Sequence, residues 1–222
     1  SEICLVAVQQ DGDALKYVPI ELQSPDICLI ALYNSPYSFR YIDKSNLTEE
    51  ICIEGIRNDG LQIRHIPIEY LTPKICAMAV QNNVIALQYI PIEHQSREIC
   101  LAAILQQGYA LDYVKNQTIE LCLAAVRRSG RSIQYVNVQT EEICIEAVKQ
   151  DGMVLPLIKT VTPLICLEAV RQNGQTLGNI SKEMQTPLIC MEAVKQSGYA
   201  LIFVYNKTPE ICEEAIKQTT FA

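Results

Sequence analysis

Ten cysteines are the most reactive side chains in this 222-residue sequence, and thiols in such number could ligate zinc, close disulfides or act as nucleophiles. They are Cys4, Cys28, Cys52, Cys76, Cys100, Cys122, Cys144, Cys166, Cys190 and Cys212, at successive intervals of 24, 24, 24, 24, 22, 22, 22, 24 and 22 residues. No Cys-x-x-Cys pair occurs, and only His65 and His94 could add imidazole ligands. Equivalent positions of stacked helices lie roughly 9–10 Å apart, whereas a disulfide needs Cα atoms within about 7 Å. The thiols are therefore expected to be free and to pack as small hydrophobes. That expectation carries four others: no metal, no cofactor, no disulfide-linked partner, and a reducing, cytoplasmic setting.

The remaining polar residues form no recognisable catalytic pattern. His65 stands where other repeats carry Tyr17, Tyr41, Tyr89, Tyr113 and Tyr135, and reads as a structural variant of that position. His94 falls in a loop. Neither belongs to a nucleophile–base arrangement, and no phosphate-binding glycine motif is present. Glu146, Glu168, Glu192 and Glu214 each precede a cation by three residues, at Lys149, Arg171, Lys195 and Lys217, which suits surface pairs on helices. The chain reads as a non-enzyme. The surroundings of His65 are the first place to look for an unrecognised active site.

The cysteine spacing is itself the main structural signal, because a fixed period means a repeat array. Aligned on the cysteines, the repeats share Ser/Thr-Pro-Glu-Ile-Cys-Leu-x-Ala-Val-x-Gln-x-Gly-x-Ala-Leu-x-Tyr-Val, and the longer ones add Pro-Ile-Glu-Leu-Gln. Ser24, Thr48, Thr72, Ser96, Thr118, Thr140, Thr162, Thr186 and Thr208 are N-cap residues for a helix of about ten residues. Pro25, Pro73, Pro163, Pro187 and Pro209 suit its first position. Apolar spacing such as Ile189, Cys190, Ala193, Val194 marks one helix face. Gly12, Gly60, Gly108, Gly130, Gly152, Gly174 and Gly198 fit left-handed C-caps. Pro36 and Val84 replace that glycine, so irregular turns are expected there. A second, shorter helix carries the tyrosines, which read as core residues. The fold class is all-α: an α-solenoid of about nine helix-turn-helix repeats of 22–24 residues, as one domain over 1–222. Residues 209–222 are expected to be a capping half-repeat, because Glu213 replaces the apolar residue after the cysteine. The start shows no comparable cap, which suggests sequence before Ser1.

Formal net charge is −7, which disfavours nucleic acid and anionic lipid as partners. No apolar run is long enough to cross a membrane, and no signal peptide is visible at the start. With no chemistry in the repeats, the expected function is a protein–protein interaction scaffold. Departures from the repeat mark candidate partner-binding residues: the basic ridge Arg127, Arg128, Arg131, Lys149, Arg171 and Lys195, continuing to Lys217, and the tyrosines Tyr33, Tyr37, Tyr109 and Tyr199. The alternatives are nucleic-acid or anion binding along the 127–217 ridge, and an enzyme with an unrecognised site. A near-constant amide (Gln10, Asn34, Asn58, Asn82, Gln106, Gln150, Gln172, Gln196, Gln218), broken only by Arg128, is read as hydrogen bonding between repeats rather than as a ligand-facing ladder.

The segments Thr208–Gln218 and Ile189–Leu201 (Ile-Cys-Met-Glu-Ala-Val-Lys-Gln-Ser-Gly-Tyr-Ala-Leu) resemble the tandem helical repeats called domain of unknown function 4116. The resemblance covers essentially the whole chain and carries no catalytic residues. Its members in intracellular bacteria and some large viruses imply a host-directed effector module, working in the host cytosol if secreted.

Overall fold

A computed structural model describes residues 2–57 and 59–220, the side chain of Thr220 excepted. Among them there are ten α-helices and no strand. The first compact unit comprises the residues up to Gln106 together with Tyr113–Asn116. It contains α1 (Glu2–Gln10), α2 (Pro25–Asn34), α3 (Glu49–Arg57), α4 (Pro73–Asn82) and α5 (Arg97–Gln106). The second comprises Gln107–Asp112 and the chain from Gln117 on. It contains α6 (Ile119–Arg128), α7 (Glu141–Gln150), α8 (Pro163–Gln172), α9 (Pro187–Gln196) and α10 (Pro209–Thr220). Each unit is an α-solenoid: successive α-helices pack side by side in one layer, and the intervening 3-10 helices form a second layer against them.

Helix starts follow the local code. All nine internal Ser/Thr hydroxyls accept a hydrogen bond from the backbone N–H three residues on, from Thr48 with Ile51 at 3.2 Å to Thr208 with Ile211 at 3.4 Å. Pro25, Pro73, Pro163 and Pro187 occupy the first turn, where no N–H is needed.

The glycines behave differently from a left-handed cap. No described residue has positive φ. Before Gly12, Gly60, Gly152 and Gly174 the corner residue (Asp11, Asp59, Asp151 or Asn173) is extended and its side chain accepts from the N–H two residues on, whereas Ser129 and Ser197 are extended without that bond. Glycine then opens the 3-10 helix, buried against the next repeat. A Cβ on Gly152 would lie 2.6 Å from the Ala169 carbonyl oxygen, and one on Gly130 2.7 Å from that of Ala147. Close approach, not backbone freedom, selects glycine here.

Pro36 and Val84 also depart from expectation, since Pro36–Tyr41 and Val84–Tyr89 are 3-10 helices as regular as the others. The second helix of each repeat is 3-10 throughout. Three residues per turn bring Gly12, Leu15 and Val18 onto one buried face. Tyr17 is thereby turned outward at 79% exposure and Tyr89 at 40%, while Tyr41, Tyr113 and Tyr135 are half-buried. The tyrosine row is thus not core. The core of most repeats is Ile, Cys, Ala and Val from the α-helix against Leu or Ile and Val or Ile from the 3-10 segment, with Leu32, Ile56, Leu121 and Phe39 as variants. In 24-residue repeats the extra tail forms a further 3-10 turn, such as Ile20–Leu22 or Lys182–Met184.

Two rows of amides fasten one repeat to the next. Asn34 donates to the Val8 carbonyl at 3.1 Å, Asn82 to Ile56 at 2.8 Å and Gln106 to Gln81 at 2.9 Å. Gln150, Gln172 and Gln196 instead accept from the N–H groups of Gly130, Gly152 and Gly174. Asn58 lies outside the described residues. The second row, which the sequence analysis did not single out, precedes the N-cap. Gln23, Gln95, Gln117, Gln139 and Gln185 each donate to the carbonyl 18 residues on and accept from the N–H 20 residues on.

Candidate functional site

All ten thiols are unbonded, and among the described residues no cluster of metal-ligating side chains exists. Eight of the cysteines are fully buried, Cys4 and Cys212 partly so. Burial raises the thiols of Cys28, Cys52, Cys76 and Cys166 to about 11, so they are protonated and inert at neutral pH. His65 is half-buried and its Nε2 accepts from Arg64 Nε at 3.0 Å. Burial, with the charges of Arg64 and Arg40, lowers its pKa, so the ring is held neutral.

The basic ridge is interleaved with carboxylates. Arg127 pairs with Glu146 of the next helix at 2.7 Å, and Lys149 reaches the same carboxylate at 3.9 Å. Arg171 joins Glu168 at 2.8 Å and Glu192 at 3.2 Å, and Lys195 joins Glu192 at 3.3 Å. Lys217 meets Glu214 at 3.7 Å. The Arg171 guanidinium, followed by Lys195, holds Glu192 below the usual carboxylate range despite the opposing effect of burial. The i,i+3 pairs follow from helical spacing in the sequence, but the links between repeats do not, because their partners lie 19 and 21 residues away.

The structure separates the remaining candidates. Tyr33 is exposed on α2, in a shallow groove with Leu29, Ile30, Glu50, Glu54 and Arg57. Tyr37, Tyr109 and Tyr199 share another position, the second residue of their 3-10 helices, and are exposed. Arg128, Arg131 and Tyr109 come together. With Gly108, Ser132 and Tyr135 they line a polar pocket of about 180 Å³ in the second unit.

A larger recess in the first unit was not singled out from sequence. Between α4 and α5, Ala77, Val80, Ile99 and Ala102, with Gln81 and Glu98 at the rim, enclose about 330 Å³. Its cause is missing side-chain volume. Ala77 stands where most repeats carry Leu or Ile after the cysteine, and Ala102 where α7, α8 and α9 carry Glu146, Glu168 and Glu192. Two small residues facing each other across adjacent helices were the available signal.

Residues 1–47 and 72–119 match the family described as Domain of unknown function (DUF4116). No curated protein and no solved structure matches the chain.

Proposed function

With residues 1–47 and 72–119 carrying the repeat of domain of unknown function 4116, we propose that this chain is a non-catalytic scaffold that holds a protein partner on the α-helical face of its first unit. The observation that carries the reading is the α4–α5 recess, apolar at its base and rimmed by Gln81 and Glu98. Such a concavity suits one apolar side chain of a partner, with polar groups at the edge to fix its orientation. The comparable ridge of α7, α8 and α9 is taken up by glutamate–cation pairs. Those pairs offset the basic charge, which favours the scaffold over polyanion binding along 127–217.

Ten free thiols suit a reducing, cytoplasmic compartment, and among the described residues no helix is long and apolar enough to cross a membrane. A host-directed role rests on the family resemblance alone.

Two substitutions that other repeats already contain provide the test. Ala77→Leu and Ala102→Glu together fill the recess with residues native to that place elsewhere in the chain. Proximity labelling in cells, followed by titration of the purified candidate, should give a partner that saturates the native chain and binds the double variant at least tenfold more weakly, about 1.4 kcal/mol. Equal binding by both chains at equal thermal stability would remove the recess from the function.

A further inference from the structure

We infer that Lys16, Arg40 and Arg64 form a docking ridge on the 3-10 layer of the first unit, which holds an extended acidic segment of a protein partner, one carboxylate to each repeat. The ridge and the α4–α5 recess lie on different layers, so either reading can fail without the other.

Three successive repeats carry a cation at one place. Lys16, Arg40 and Arg64 are each the fifth residue of a 3-10 helix, in Gly12–Tyr17, Pro36–Tyr41 and Gly60–His65. Gln88, Asp112, Gln134, Pro156, Gly178 and Ile202 hold that place afterwards, so the cations are special to these three repeats. All three are exposed, and each is followed by an aromatic ring. The Lys16 ammonium lies 4.7 Å from the centre of the Tyr17 ring, and the Arg40 guanidinium 4.9 Å from that of Tyr41. Arg64 Nε donates to His65 Nε2 at 3.0 Å, which takes one of the five guanidinium N–H groups. A ring holds a long cationic side chain in place without neutralising it. Among the described residues Asp13 is the one carboxylate within ion-pair reach of the three, at 4.0 Å from Arg40, and an exposed pair at that distance is weak. The α-helical face differs: Lys149, Arg171 and Lys195 each meet a glutamate, at 3.9, 2.8 and 3.3 Å. Burial, then the charges of Arg64 and Arg40, lower the His65 pKa, so cations of adjacent repeats act together on one place.

Spacing selects the conformation of the occupant. The 3-10 helices of these repeats pack on one another in order, as neighbouring helices do at roughly 9–10 Å. A polyproline II segment has three residues per turn, at about 3.1 Å each, and returns to the same face after about 9.3 Å. A β-strand returns after about 6.6 Å and falls out of step. An Asp or Glu at every third residue of a polyproline II segment therefore meets Lys16, Arg40 and Arg64 in turn, and the guanidinia can take a carboxylate through two N–H groups. Tyr17 and Tyr41 offer the aromatic surface on which such segments dock. A nucleic acid fits poorly. The chain is acidic overall, and Glu21 and Glu69 are exposed in the turns that follow Tyr17 and His65, where they oppose a continuous polyanion.

Fluorescence anisotropy of the full chain with three labelled peptides tests this: three Glu-Pro-Pro units, the same composition with its glutamates adjacent, and three Gln-Pro-Pro units. The spaced glutamate peptide should bind saturably at low salt and weaken as salt is raised. The adjacent-glutamate peptide should bind about threefold or more weakly, and the glutamine peptide should not saturate. Lys16→Gln/Arg40→Gln/Arg64→Gln installs the residue that Gln88 and Gln134 place there in other repeats. It should weaken the spaced peptide about tenfold or more. Its melting temperature should be unchanged, because all three side chains are exposed. Ala77→Leu/Ala102→Glu, which fills the recess, should bind the spaced peptide as the native chain does. Undiminished binding by the folded triple variant, equal binding of the two glutamate peptides, or no saturable binding of the spaced peptide would each overturn the assignment. So would tighter binding of a single-stranded RNA or of phosphatidylserine vesicles that the triple variant loses.

Discussion

Gln139→Glu exchanges an amide NH2 for an oxygen at almost constant volume, and probes the row of glutamines that spans neighbouring repeats. Gln139 Nε2 donates to the Ile133 carbonyl at 3.0 Å and the Leu157 carbonyl at 3.2 Å, and Oε1 accepts from Lys159 N–H at 2.8 Å. Those bonds fix the amide's orientation. In the glutamate variant the bond from Lys159 survives, but a carboxylate oxygen faces two carbonyl oxygens. Each lost donation removes about 0.5–1.5 kcal/mol. Leu157 is exposed, so water can replace part of its loss, whereas Ile133 is fully buried. A total near 2 kcal/mol at neutral pH follows, including the ionic repulsion. The carboxyl of the variant should titrate above its unfolded value of about 4.3, because its neighbours accept from the protonated form and repel the ionised one. The native state then binds the proton more tightly. The deficit against the native chain is smallest below about pH 4, widens as pH rises from the unfolded toward the raised folded pKa, and is constant above it. Urea denaturation of both chains from pH 4 to 8 measures this difference. Gln139→Leu, the residue found at this place at Leu47 and Leu71, is the control, and its deficit should not change with pH. A glutamate variant as stable as the native chain at pH 7, or a deficit parallel to that of the leucine variant, would refute the reasoning.

Three further outcomes follow from the packing. Gly152→Asn should cost about 2 kcal/mol or more in chemical denaturation, because its Cβ would meet the Ala169 carbonyl oxygen; near-neutral stability would restore the left-handed cap, which tolerates asparagine. Gly55→Ala should destabilise because its Cβ would fall on the Phe39 ring, and adding Phe39→Leu should recover about 1 kcal/mol or more as coupling in a double-mutant cycle. Folded thiols should react with a thiol reagent at pH 8 only at Cys4 and Cys212, the two that are partly exposed. For Cys28, Cys52, Cys76 and Cys166, raised by burial to about 11, the stability contribution is complete below the unfolded value of about 8.5 and is lost as pH climbs toward 11; an alkaline melt that stays flat across that window would contradict it.

What could be read in the sequence was short in range. Hydroxyl caps, first-turn prolines and the Ile-Cys-Ala-Val face depend on residues at most a few places apart, and all of them formed as expected. The glycine row was legible as a row but not in its cause, since glycine answers equally to positive φ and to close approach. The regular 3-10 helices at Pro36 and Val84 show that this position does not need backbone freedom. The tyrosine row reads as core from its place on a helix, but three residues per turn put Leu15 and Val18 on the buried face and turn Tyr17 outward. Gln23 and its equivalents escaped notice because their partners are backbone groups 18 and 20 residues away. At the candidate sites, charges could be counted but not matched to the next repeat's glutamate. The α4–α5 recess is defined by atoms that are missing, which leaves only two alanines to mark it.

The long-range side-chain hydrogen bonds of this chain bridge 18 to 26 residues, about one period. Growth by copying is therefore built into the scheme: a duplicate of residues 119–140, inserted after Thr140, would find on either side the same hooks and eyes that its template uses. An insert of half that length would leave Gln139, whose partners lie beyond the insertion, aimed at the wrong carbonyl. Such an array can change its reach by whole periods while each existing surface keeps its own geometry.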